Sequence, residues 1–135
     1  MILKKLGMNG RITMKDLASE LKLSAPAVAE RVRRLEANGT ITGYRAIINE
    51  KKLGLEITVY INLDIPASNY NDFVEFAQVT EGISEFYYVT GQYSLIIKAF
   101  VEDTEHLALL IEKIQAFGTT ETSIVMYSNI KDTIF

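Results

Sequence analysis

Over the first forty positions, apolar residues recur at helical spacing. Leu17, Ala18 and Leu21 form one short stripe; Val28, Val32 and Leu35 form another at i, i+4, i+7. Thr13-Met14-Lys15-Asp16 precedes the first stripe as a capping box: the Thr13 hydroxyl accepts the Asp16 N–H, and the Asp16 carboxylate can reach back. Lys22-Leu23 interrupts. Ser24 is a good N-cap, and Pro26 falls in the first turn of the next helix, where a missing N–H costs little. Asn38-Gly39 stops that helix, with Gly39 free to adopt positive φ. The pattern predicts two short helices and a tight turn, a helix-turn-helix whose second helix spans 25–38.

Beyond residue 40 the period changes to two. Residues 40–49 alternate and predict a hinge strand. Ile57, Val59, Ile61, Leu63 and Ile65 share one face of a strand that Pro66 ends. Ser68 or Asn69 caps a helix with Phe73, Phe76 and Ala77 inward, broken by Gly82. Strands over 84–90 and 93–100 follow, with Gly91-Gln92 suited to a two-residue type II′ turn. Asp103 or Thr104 caps a second helix with Leu107, Leu110, Ile111 and Ile114 inward, stopped by Gly118. Residues 120–130 alternate as a last strand. The order βαββαβ predicts a ferredoxin-like sandwich, with helices on one face of a four-stranded antiparallel sheet. The fold class is α+β: an N-terminal winged-helix-like helix-turn-helix and a C-terminal ferredoxin-like layer. Phe86 and Tyr88 oppose Tyr87 and Val89, and Leu95 and Ile97 oppose Ile96 and Phe100, so both faces carry apolar groups. The face without helices needs a cover, which predicts a second subunit.

Charge divides along the same boundary. Residues 1–52 carry +6 and residues 53–135 carry −9, although the whole chain has only −3. A basic head on an acidic body suits a polyanion partner. On the second helix, Pro26, Glu30 and Arg33 point directly away from the apolar stripe. Arg34 and Ala27 lie on one outward flank, Ala29 on the other, and Arg31 near the stripe's edge. Small residues at the start (Ser24, Ala25, Pro26, Ala27) allow close approach to base edges, and Arg31, Arg33 and Arg34 reach phosphate or guanine. The plainer reading is a solvated face, with Arg34 paired to Glu30 and Arg33 in water.

Asn9-Gly10-Arg11, Asp16-Leu17-Ala18, Leu23-Ser24, the run Arg31-Val32-Arg33-Arg34-Leu35-Glu36, the run Gly39-Thr40-Ile41-Thr42-Gly43-Tyr44 and Lys51-Lys52-Leu53-Gly54 together resemble the Lrp/AsnC family of feast/famine regulators. The resemblance implies a DNA-binding head over 1–40, a hinge over 41–54 and an effector-binding, ACT-like body over 55–135. It adds Arg11 to the DNA contacts. It also implies homodimers that assemble further, often to octamers, and an amino-acid effector between dimers. The matching positions are Gly91, Gln92, Tyr93 and Ser94, with Thr120 and Thr122. Relatives that respond to amino acids commonly carry an acid where Ser94 stands, so the charge-assisted bond to an α-ammonium group is lost here. Two further departures matter. Ile2-Leu3 stands at the terminus where the family has a longer first helix. That predicts a native start upstream or a less stable head, with Leu17 and Val32 short of packing. Lys22 stands where glycine is common, and a left-handed non-glycine residue costs about 1 kcal/mol.

The absence of Cys excludes disulfides and thiolate metal sites, and a single His excludes a histidine-rich metal site within one chain. That residue, His106, falls in the first turn of the last helix beside Glu105, off the apolar stripe, and reads as a surface residue. No nucleophile–base set, phosphate loop or metal spacing is visible, so the expectation is no enzyme, no metal and no cofactor. No signal peptide or membrane span is visible either, and the expected location is cytoplasmic. The expected function is sequence-specific binding of double-stranded DNA. The alternative is a metabolite-binding assembly protein with a weakened head.

Overall fold

The computed structural model describes residues 1–131. It divides into two compact units, residues 1–47 and 48–128; the described residues past 128 fall outside the second unit.

The first unit is three helices: α1 (Ile2–Met8), α2 (Met14–Leu21) and α3 (Ala25–Ala37). Thr13 caps α2 by accepting the Asp16 N–H at 3.0 Å, and Ser24 caps α3 by accepting the Ala27 N–H at 3.3 Å. Lys22 adopts φ 55°, ψ 43°, the left-handed turn expected there. Ile2 and Leu6 of α1 pack with Leu17, Ala18, Val28 and Val32, and Leu17 is fully buried. The expectation that Leu17 and Val32 lack partners is therefore corrected. Two apolar residues one turn apart on a two-turn helix are enough to cover them.

The hinge strand expected over 40–49 does not form. Residues 42–49 carry no regular secondary structure and belong to no ladder. Alternation favours a strand, but a strand also needs a neighbour to pair with. A short 3₁₀ turn at Glu50–Leu53 follows.

The second unit is β1 (Ile57–Asp64), α4 (Tyr70–Val79), β2 (Ile83–Tyr88), β3 (Leu95–Val101), α5 (Thr104–Gln115) and β4 (Thr119–Ile124), in sheet order β2-β3-β1-β4 with every pair antiparallel. This is the βαββαβ arrangement. Its core is Val59, Ile61, Leu63, Leu95, Ile97 and Ala99 from the sheet against Phe73, Ala77, Leu107, Leu110 and Ile114 from the helices.

Four local readings are corrected. Asn69 stands at the start of α4, but its amide donates to the Phe117 carbonyl at 3.1 Å instead of capping. The stretch before β3 is a wider loop over residues 89–94, closed by the Val89 N–H donating to the Ser94 carbonyl at 2.8 Å. The two-residue turn fails because the Ser94 N–H is drawn to the Leu63 carbonyl of β1, at 3.1 Å. β4 ends at Ile124, after which, among the described residues, the Val125 N–H alone still reaches β1, at the Thr58 carbonyl. α4 ends at Val79, three residues before Gly82. A bulge near Ser84 then turns Ile83 and Phe86 to the same face, opposite Ala99 and Ile97.

Candidate functional site

The start and outward face of α3 hold seven of the eight residues expected to meet DNA, although Ala25 is partly buried and packs against the core of the first unit. Ser24 to Ala27 form its cap and first turn, and Arg31, Arg33 and Arg34 are exposed further along. The arginines are not simply solvated. Glu30 Oε2 accepts from Arg33 Nε at 2.9 Å; Glu30 Oε1 accepts from Arg33 Nη2 at 2.8 Å and from Arg34 Nε at 3.0 Å. These bonds hold the Glu30 carboxyl at about 2, far below the ordinary carboxylate value. Among the described residues, Arg31 makes no such pair.

Arg11 is not on this helix. It lies on the loop between α1 and α2, where its N–H donates to the Asn9 side chain at 3.0 Å. With Gly10, Tyr44, Arg45 and Ile47 it lines a surface groove of roughly 600 Å³. Tyr44 is tied to the far end of α3, its hydroxyl donating to Glu36 Oε1 at 2.8 Å, a bond that raises the phenol's pKa. Sequence reasoning missed Arg45. The signal was available: Arg45 is the one cation in an alternating segment next to the helix-turn-helix.

The six expected effector positions separate. Gly91 and Gln92 are exposed on the 89–94 loop, Gly91 at φ 119°. The Ser94 hydroxyl is committed to β1, accepting from the Ile65 N–H at 3.2 Å and donating to the Leu63 carbonyl at 3.3 Å. Thr120 and Thr122 pair with Leu63 and Ile61, so they face the helix layer, where Gln115 of α5 donates to the Thr120 hydroxyl at 3.3 Å. Of the six, among the described residues, Tyr93 joins the loop to β4. Its hydroxyl donates to Glu121 at 2.8 Å, and this bond, with the nearby charges of Glu121 and Asp64, raises the phenol's pKa. Glu121 is thus an acid beside the loop that sequence reasoning did not select. Strand parity separates it from Thr120 and Thr122; its contact with Tyr93 depends on a register that parity does not give.

His106 is exposed and held at the start of α5. Asp103 Oδ1 accepts from the His106 N–H at 2.9 Å and lies 2.7 Å from its Nδ1, and Glu102 lies 3.5 Å from Nε2. This arrangement is a helix cap with a titratable partner.

Residues 1–42 match a model described as winged helix-turn-helix DNA-binding, and residues 58–134 match the Lrp/AsnC ligand binding domain. The chain belongs to the Lrp/AsnC family. As a member it is a DNA-binding transcription regulator and not an enzyme. Among its relatives, the Bacillus subtilis (strain 168) uncharacterized HTH-type transcriptional regulator YezC is 36% identical, with 95% of this chain and 91% of YezC covered. The solved structure of B. subtilis LrpC superposes with a TM-score of 0.89 at 30% identity, covering 96% of this chain and 92% of LrpC. The feast or famine regulatory protein of M. tuberculosis complexed with L-methionine superposes with a TM-score of 0.85 at 26% identity, covering 97% and 91%. Among the described residues, no helix of this Lrp/AsnC member is long and apolar enough to cross a membrane.

Proposed function

We propose that this regulator works in the cytoplasm as a homodimer, or a larger assembly up to an octamer, that sets two copies of α3 into major grooves of a pseudo-palindromic site. Ser24, Ala25, Pro26 and Ala27 approach the base edges. Arg31, Arg33 and Arg34 supply phosphate and guanine contacts, and Arg11 with Arg45 adds backbone contacts beside the helix. The observation that carries this reading is the outward face of α3, small at its start and basic beyond, on a capped helix-turn-helix.

The body takes a small amino-acid-like effector at the 89–94 loop. The L-methionine complex of the M. tuberculosis relative supports that ligand class. Exposed N–H groups of the Gly91 turn suit a carboxylate. Glu121 supplies the acid that Ser94 does not, so Tyr93 and Glu121 together suit an ammonium group. The effector acts by favouring one assembly over another, and so one spacing of heads. The alternative, an assembly protein with a weakened head, drew its support from a short first helix. The full burial of Leu17 beneath α1 removes that support.

The test is fluorescence anisotropy with labelled duplex from upstream of the gene and a scrambled duplex, across a salt series. The expected result is tighter binding to the upstream duplex, with log K falling linearly in log salt. Arg31→Ala is expected to flatten the slope by about 0.9 with the oligomer unchanged. Equal affinity for both duplexes from a folded oligomer overturns the reading.

A further inference from the structure

Glu30 occupies the centre of the outward face of α3, between the small first turn and the two arginines it holds. One carboxylate accepts three N–H bonds, all between 2.8 and 3.0 Å, from Arg33 and Arg34. The trio therefore presents a single net positive charge where the arginines alone present two. A helix that only attracts phosphate gains nothing from an acid at this position, because affinity for any DNA grows with net cationic contacts. A helix that discriminates between bases does gain. Arg34 is held through Nε, and among the described residues its two terminal nitrogens make no hydrogen bond or ion pair. Those terminal nitrogens match the O6 and N7 acceptors of guanine in the major groove. Holding a guanidinium by its inner edge also removes rotamer freedom before DNA arrives, so less entropy is lost on contact. The spacing adds to this: Glu30 stands one helical turn before Arg34, the orientation that favours the pair.

We propose that Glu30 is a positioning and specificity-determining residue of the DNA-reading helix. It fixes Arg34 for one guanine in each half-site, and its own charge opposes docking through phosphate alone. The inference rests on the reading of α3 as the DNA-reading helix. It differs from a plain surface ion pair in one respect. A surface pair affects helix stability slightly and leaves base preference untouched.

The experiment selects duplexes from a random-sequence DNA library with the full chain as wild type, Glu30→Gln and Arg34→Ala. Anisotropy then compares the best wild-type duplex with a scrambled one across salt. All three side chains of the trio are exposed, so the variants are expected to keep the wild-type fold, checked by far-UV circular dichroism. Wild type is expected to select one fixed guanine per half-site, and Arg34→Ala to lose that position. Glu30→Gln is expected to relax the guanine preference roughly tenfold. It is also expected to bind scrambled DNA about fivefold more tightly at 0.15 M salt, with a slope steeper by about 0.9, as an arginine is released to phosphate. If Arg34→Ala loses the guanine while Glu30→Gln keeps both the preference and the slope, the role of Glu30 is overturned and the α3 reading stands. If both variants select the wild-type motif, the α3 reading falls as well.

Discussion

Lys22 is the one described non-glycine residue with positive φ, and the helix-turn-helix is built on it. Its N–H reaches back to Ser19 at 3.3 Å, and the Leu23 N–H to Ala18 at 2.9 Å, closing α2 and aiming the chain at the Ser24 cap. A left-handed lysine costs roughly 1–2 kcal/mol, while glycine there loses about 0.4–1 kcal/mol by loosening the unfolded chain. Lys22→Gly is therefore expected to stabilise the head by about 0.5 kcal/mol. Urea denaturation, followed by hydrogen exchange of α2 amides, measures it; a less stable head contradicts the strain argument. Glu30 is the opposite case, a residue whose local bonds favour its charged form. Its pKa is depressed in the folded state, so its contribution is present above the ordinary value of 4.5 and is lost only as pH falls through about 2. The Glu30–arginine fork is thus intact at any pH where DNA binding is measured.

At the level of elements, α5 has a pH-dependent start. The backbone N–H of His106, then its ring, lowers the Asp103 pKa; Asp103, then Glu102, raises that of His106. The Asp103 contribution is present above its ordinary 3.8 and is lost as pH falls through the depressed folded value. The His106 contribution is complete below its ordinary 6.5 and is lost as pH rises through the raised folded value. Both are fully present between those two ordinary values. His106→Gln is expected to lower the melting temperature at about pH 5 and to make progressively less difference as pH rises through the raised folded value. A gap of constant size across that range rejects the coupling. Asp103 was legible as a cap because it acts within three residues of its donor. The helical stripes of α2 to α5 were legible for the same reason. Asn69 was misread because the Phe117 carbonyl that takes its amide lies 48 residues away. The 40–49 segment was misread because alternation cannot supply a pairing strand. Gly118 looked like a helix stop, but its need is steric: a Cβ there stands 2.0 Å from the Asp64 carbonyl oxygen. Among the expected DNA contacts, the helix face was legible from its rotation. The capture of both arginines by one glutamate was not, since spacing permits the pairs without deciding between them and water. The effector region fared worst, because Ser94, Thr120 and Thr122 turn inward through a register fixed only by the folded sheet.

At the level of the whole molecule, the question is what covers the sheet face that the helices leave open. Ladder partners place Tyr60, Ile96, Lys98 and Phe100 on that face, with Tyr87 paired to Ile96 and Glu85 to Lys98. Tyr87 and Tyr60 are 53% and 39% exposed, too much aromatic surface for a face meant for water. Lys98 does not make the face polar. Its Nζ lies 3.6 Å from Glu85, and 5.5 and 6.0 Å from the ring centroids of Phe100 and Tyr60, so its charge is matched and its stem adds apolar cover. We propose a second copy as the cover, one that would also double the proposed DNA-reading helix. Ile96 lies between Asn62 and Tyr87 on this face and contributes nothing to the buried core. Ile96→Glu is therefore expected to leave the monomer folded and to bury one unpaired carboxylate from each copy in a two-fold interface, where every change is made twice. Sedimentation is expected to show a loss of mass to monomer. Affinity for a two-half-site duplex is expected to fall by roughly 10²-fold or more, because each head then binds without the local concentration its partner provides. Binding to a single half-site is expected to stay the same, which separates lost assembly from a damaged head. An unchanged mass for Ile96→Glu means that this face is not the interface.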